Sequence, residues 1–119
     1  MAANALPTAT LNLTTEKIPT ESIVRCTGRI TVETADQLRE TGKSLISESR
    51  CLVLDFSGVN YVDSPGLGAI VGLFVSAKKS GCELRLVNLS PRVKAIFTVA
   101  RLYEALGSHE ESRTDLRLD

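Results

Sequence analysis

The stretch Cys51-Leu-Val-Leu-Asp55, followed by Phe56-Ser-Gly-Val-Asn-Tyr-Val62 and then Asp63-Ser-Pro-Gly-Leu-Gly68, decides the fold. Its first five residues form a nearly unbroken apolar run. Such runs suit a strand covered on both faces, as in a parallel sheet. Residues 56–62, with Gly58 and Asn60, read as a loop. Residues 65–80 are the most helical part of the chain, and Gly81 stands where a helix ends in a left-handed residue.

Downstream, Glu83–Val87 alternates apolar and polar, like a strand with one wet face. Ser90-Pro91 opens another helix, N-cap followed by Pro in the first turn, with Val93, Ile96, Phe97 and Ala100 as its apolar stripe. Residues 102–106 read as a last short strand or turn. Upstream, residues 11–16 alternate as an edge strand, residues 19–22 carry turn chemistry, and residues 23–27 form a β-branched-rich strand ending at Gly28. Those two strands make a hairpin. Ala35, Leu38, Leu45 and Ile46 then recur at helical spacing, with Thr31 or Thr34 as N-cap. Gly42 weakens that helix by roughly 1 kcal/mol against alanine.

The resulting order is β-β-α-β-α-β-α. Strand–helix–strand repeats demand parallel pairing and right-handed crossovers, and the first hairpin makes the sheet mixed. The expected organisation is a flexible leader over residues 1–9, one α/β domain over residues 10–107, and a charged tail over residues 108–119.

Composition narrows the function. The 119 residues carry 14 basic and 14 acidic side chains, so the net charge is zero. A nucleic-acid or anionic-membrane binder needs a basic surplus. There is no tryptophan, and the five aromatics (three Phe, two Tyr) are too few for base-stacking platforms. No apolar run approaches the ~20 residues that span a bilayer. The first ten residues lack the basic start and apolar core of a signal peptide. Cys26, Cys51 and Cys82 are widely spaced and form no CxxC pair, so they read as buried thiols in a reducing compartment, with the cytoplasm the expected location. His109, in the tail, is the one histidine. The body therefore has no imidazole for a catalytic triad or a common zinc site. Asp55, Asp63 and Glu83 make no recognisable acid–base pair, and Asp55 reads as the cap of a strand or turn. No enzyme, cofactor or metal is expected.

Ser64 has two readings. It is well placed as a helix N-cap, with Pro65 at the first helical position. It is equally a place for a phosphate, because a helix N-terminus has unpaired N–H groups and the positive end of a dipole. A phosphate there adds about −1.5 to −2 charge beside Asp63. On a wheel at ~100° per residue, Leu67, Ile70, Phe74 and Ala77 share the core face of the helix. Gly68, Gly72, Val75 and Lys79 lie opposite, a bare face that lets another backbone approach. The run Gly66-Leu-Gly68-Ala-Ile-Val-Gly72 also invites a nucleotide-binding reading. Its glycines fall inside a helix, however, and the next strand ends at Asn88 without the acid that grips a ribose.

The run from Asp55 to Phe74, with its Asp-Ser-x-Gly-Leu-Gly motif, closely resembles the STAS domain of anti-anti-sigma factors. So does residues 81–97, with its strand, Asn88-Leu-Ser-Pro91 turn and helix. The likeness covers roughly residues 11–107. It implies a STAS-type mixed sheet of four to five strands, mostly parallel after the N-terminal hairpin, with three to four helices packed mainly on one face. It also implies a partner, a kinase-type anti-sigma factor of the ATPase fold. That kinase phosphorylates a serine, here Ser64, and a PP2C-type phosphatase reverses the modification. The implied partner-binding residues are Asp63, Ser64, Pro65, Gly66, Leu67, Gly68, Gly72, Val75 and Thr31. Pro65 stands where the family usually has Ser or Thr. Gly28-Arg29-Ile30-Thr31 stands where it often reads Gly-Glu-Leu-Asp. A STAS adaptor without a switch, as on the cytosolic faces of transporter complexes, is the other function such a domain implies.

Overall fold

The computed structural model describes residues 10–99. Strand β1 (Leu11–Ile18) turns into β2 (Glu21–Ile30), and helix α1 (Ala35–Ile46) leads to β3 (Cys51–Val62). Helix α2 (Ser64–Ser80), strand β4 (Glu83–Val87) and helix α3 (Pro91–Val99) complete the order. The four strands form one sheet in the order β1-β2-β3-β4. β1 pairs with β2 antiparallel, whereas β2–β3 and β3–β4 are parallel. The expected α/β class, hairpin and parallel run are therefore present.

Alternation sets the layers. Val24, Cys26, Leu52, Leu54, Phe56, Leu84 and Leu86 are all buried and occupy one face of the sheet, under the helices. Successive side chains of a strand point to opposite faces. Val53 and Asp55, on the other face of β3, are only half-buried. Among the described residues, the run at residues 51–55 is thus covered by helices on one face, with Val53 and Asp55 half-buried on the other. The opposite face is polar: Arg25 lies 2.8 Å from Glu16, and Arg85 lies 3.1 Å from Glu83.

Two further expectations need correction. β2 does not end at Gly28, and residues 56–62 are not a loop. Both strands run on together, Thr27 opposite Gly58 and Ile30 opposite Val62, with register shifts between. Gly28 accommodates the irregularity at φ +121°, a backbone state that glycine adopts without steric cost. The glycine and asparagine that suggested a loop mark a bulged strand instead. Its length carries the chain to the end of the sheet from which α2 departs.

Gly42 is also not simply a weak point. It is buried where α1 crosses α2, and a Cβ there would sit 2.7 Å from a Leu73 methyl. Helix α2 ends as expected, at Gly81 with φ +73°. At the start of α3 the Ser90 Oγ accepts from the Val93 amide at 3.1 Å, the expected cap. Ala100, the segment at residues 102–106, the leader, the tail and His109 lie outside the described residues.

Candidate partner-docking site

The site is built where β2 and β3 end. Ile30 and Val62 anchor those ends in the core at 0% and 2% exposure. The Asp63 amide donates to the Ile30 carbonyl at 3.1 Å, which continues the pairing one step past the strands. Asp63 is extended (φ −99°, ψ −178°), and Ser64 enters the helix.

Asp63, not Ser64, is the N-cap. Its Oδ1 accepts from the Gly66 amide at 2.8 Å, and its carbonyl accepts from the Leu67 amide at 2.8 Å. Its Oδ2 accepts from the Val32 amide at 3.1 Å and so ties the β2–α1 loop to the start of α2. Either Asp or Ser can cap a helix. The carboxylate wins here because its second oxygen reaches a loop that is distant in sequence. Ser64 and Pro65 then occupy the first turn, where the missing proline N–H costs nothing. Ser64 is exposed. Its hydroxyl makes no hydrogen bond with any described residue.

Gly66 is buried and sits against the end of β2. A Cβ there would lie 2.2 Å from the Ile30 carbonyl oxygen. Leu67 is 8% exposed and belongs to the core. Gly68 is exposed, and nothing lies within 4 Å of a Cβ built at Gly68 or Gly72. Val75 is 50% exposed on the same face. The wheel places Leu67, Ile70 and Ala77 inside, as they are, but leaves out Ala69 and Leu73, both fully buried, and Phe74 is only half-buried.

Thr31 is only 6% exposed. Its amide donates to Thr34 Oγ1 at 2.9 Å, and its hydroxyl accepts from the Glu33 amide at 3.3 Å. Thr34 Oγ1 donates in turn to the Arg29 carbonyl at 2.8 Å. Thr34 occupies the N-cap position of α1, yet neither threonine caps the helix through its side chain. Both hold the loop. The loop presents Val32, 66% exposed, and Glu33 to solvent. Sequence reasoning missed Val32, because a single apolar residue in a polar loop is no signal by itself; only its place beside Asp63 in the fold brings it to this edge.

Asp63, Ser64, Pro65, Gly68, Gly72 and Val75 thus form one edge, joined by Val32. Thr31, Gly66 and Leu67 support it from inside. Asp55 lies on the outer sheet face and holds local structure: its Oδ1 accepts from the Ser57 amide at 2.9 Å and from Asn88 Nδ2 at 3.0 Å. Burial alone would raise its pKa, but the hydrogen bonds from Asn88 and Ser57, with Arg25 nearby, outweigh this and hold it below the ordinary value. The three cysteines are free and buried, as expected. Burial pushes the Cys26 thiol up to about 12 and the Cys51 thiol up to about 11, so neither is a thiolate nucleophile at neutral pH. Among the described residues no group of three His, Cys, Asp or Glu side chains could hold a metal. The glycines from Gly66 to Gly72 lie within α2 and form no phosphate-cradling turn.

A mixed sheet backed by helices on one face, with a capped helix start at the ends of its parallel strands, defines an α/β domain of STAS architecture. The STAS domain family model matches residues 12–114, and the chain belongs to that family. It is 37% identical over 83 residues to an anti-sigma-B factor antagonist of Bacillus subtilis (strain 168), covering 70% of this chain and 76% of the relative. Among solved structures, an anti-sigma factor antagonist from Mycobacterium paratuberculosis superposes with a TM-score of 0.72 at 21% identity, over 81% of this chain and 82% of that one. A sulfate transporter family protein from Wolinella succinogenes superposes with a TM-score of 0.68 at 25% identity, over 79% and 78%.

Proposed function

We propose that the protein is an anti-sigma factor antagonist whose docking edge is switched by phosphorylation of Ser64. Unmodified, it binds a kinase-type anti-sigma factor through Asp63–Gly68, Val32 and the Gly68/Gly72/Val75 face of α2, and so frees a sigma factor in the cytoplasm. The kinase ends the interaction by phosphorylating Ser64, and a PP2C-type phosphatase restores it. One observation carries this reading: Ser64 is exposed at the first turn of α2 with its hydroxyl unengaged, because Asp63 has taken the capping role. That Asp63 takes the cap position supports a role for Ser64 other than capping.

The chemistry supports a switch. The helix dipole favours an anion at the first turn. Asp63 places a like charge beside it, so the modified edge becomes a strongly negative knob. A partner seated on bare glycines and two valines is repelled without any change in the core. Pro65 leaves Ser64 as the one hydroxyl in the turn.

A second reading, a STAS adaptor without a switch, is favoured by the likeness to the Wolinella sulfate transporter family protein. A pull-down from the source cell's lysate with wild type and Ser64→Asp baits separates the two. An ATPase-fold kinase enriched on wild type and lost on Ser64→Asp supports the switch. Identical captures on both baits make the chain an adaptor.

A further inference from the structure

We propose that Arg29 is a specificity-determining contact of the same docking edge, selecting a partner that offers an Asp or Glu carboxylate beside the Ser64 loop. The proposal rests on the docking reading above and concerns which partner surface fits.

Arg29 and Tyr61 are cross-strand neighbours in the parallel β2–β3 pair. The residues that follow them, Ile30 and Val62, point into the core, so Arg29 and Tyr61 face the opposite side of the sheet, where both are half-buried. They stand one rung before the Ile30–Asp63 hydrogen bond that begins the Ser64 turn. The Arg29 guanidinium carbon lies 4.7 Å from the centre of the Tyr61 ring. A guanidinium held over an aromatic face is restricted before any partner arrives, which lowers the entropy lost on binding.

Among the described residues its charge has no carboxylate partner. Arg25, Arg39 and Arg85 each lie against a carboxylate, whereas no described carboxylate lies within ion-pair distance of Arg29. Its Nε is buried without a hydrogen-bond partner. The two terminal nitrogens therefore remain as the outward donors, and they form the end of the guanidinium fork that grips a carboxylate with two hydrogen bonds. Arginine keeps its charge at every physiological pH. Asp63, whose two oxygens each accept from a backbone amide, makes no ion pair with Arg29. A cation held over the Tyr61 ring, with no ion pair among the described residues and one rung from the docking turn, is complementary to an acidic side chain on the protein that docks there.

The test is calorimetric titration of the purified anti-sigma kinase recovered on the wild-type bait. The titrants are wild type, Arg29→Glu, Arg29→Lys and Ser64→Asp, each first checked for a native circular-dichroism melt. Arg29→Glu is expected to weaken binding by about tenfold or more, and Arg29→Lys by less, because one charge survives without the fork. The Arg29→Glu deficit should shrink in about 0.5 M NaCl as the charges are screened. Binding of Arg29→Glu within about twofold of wild type, with Ser64→Asp abolished, leaves the docking reading standing and overturns this one. Binding of Ser64→Asp equal to wild type defeats the switch, and Arg29 is then judged on Arg29→Glu alone. If no variant, wild type included, binds the kinase, both proposals fall.

Discussion

Asp63 spends both carboxylate oxygens on backbone amides, one inside its own helix and one 31 residues away at Val32. That division of labour frees Ser64 and fixes Val32, so a single side chain shapes the docking edge. Removing it leaves the Gly66 and Val32 amides without acceptors. Asp63→Ala is expected to lower the unfolding free energy by about 1–2 kcal/mol, the usual range for a lost N-cap, as measured by urea denaturation. Ser64→Ala, which loses no native hydrogen bond, is expected to leave it unchanged within about 0.5 kcal/mol. If the two variants were equally destabilised, Ser64 would be a structural cap after all. The sequence shows an Asp-Ser-Pro start to a helix but not which residue caps it. Local chemistry permits either, and the deciding contact, Asp63 to Val32, is long-range.

The helices and strands repeat this division between local signal and distant cause. Across α1 and α2, the glycines are not equivalent. A Cβ at Gly68 or Gly72 meets nothing within 4 Å, whereas one at Gly42 of α1 runs into buried Leu73. Alanine gains up to about 1 kcal/mol over glycine in a helix interior. Gly68→Ala and Gly72→Ala are therefore expected to raise the urea midpoint while weakening partner binding, a stability gain coupled to a functional loss. Gly42→Ala is expected to lower stability by about 1 kcal/mol, since overpacking a filled core costs about 1–3 kcal/mol and exceeds the propensity gain. Raised stability in all three would refute the close approach of α1 to α2. The two faces of α2 are legible in the sequence, because the helical period depends only on spacing. The extension of β3 through residues 56–62 is not, because Gly58 and Asn60 carry turn chemistry and only pairing with β2 across a bulge makes them strand. Asp55 is where that extended strand meets the loop after β4. Its carboxyl is held below the ordinary value by Asn88 and Ser57 against the effect of burial. A group with a depressed folded pKa contributes stability above its unfolded pKa and loses it as pH falls through the folded one. The urea midpoint of the wild type is expected to fall below about pH 4, and Asp55→Asn should show a shallower acid decline.

For the molecule as a whole, charge and core define a window of stability. The chain has no net charge at neutral pH, so self-repulsion is small there. Its three thiols are all buried in the native state and all shifted upward by burial, Cys26 furthest, from an ordinary value of 9.0 to about 12. Between those values the unfolded chain releases a proton that the folded chain keeps. The native state then binds more protons than the unfolded one, and stability declines as pH rises. The loss should begin near pH 9 and continue towards pH 12 for Cys26, and towards about 11 for Cys51. Lysines and tyrosines also titrate in this range, so the slope of the wild type alone does not identify the thiol. Cys26→Ala isolates it. That variant is expected to be less stable at pH 7 by about 1 kcal/mol, through the lost sulfur in a closed core. Its urea midpoint should nevertheless fall less steeply than the wild type's between pH 9 and 11, so that the two curves converge. Parallel curves would mean that Cys26 can ionise without unfolding the sheet, and that the β2 face beneath the helices admits water.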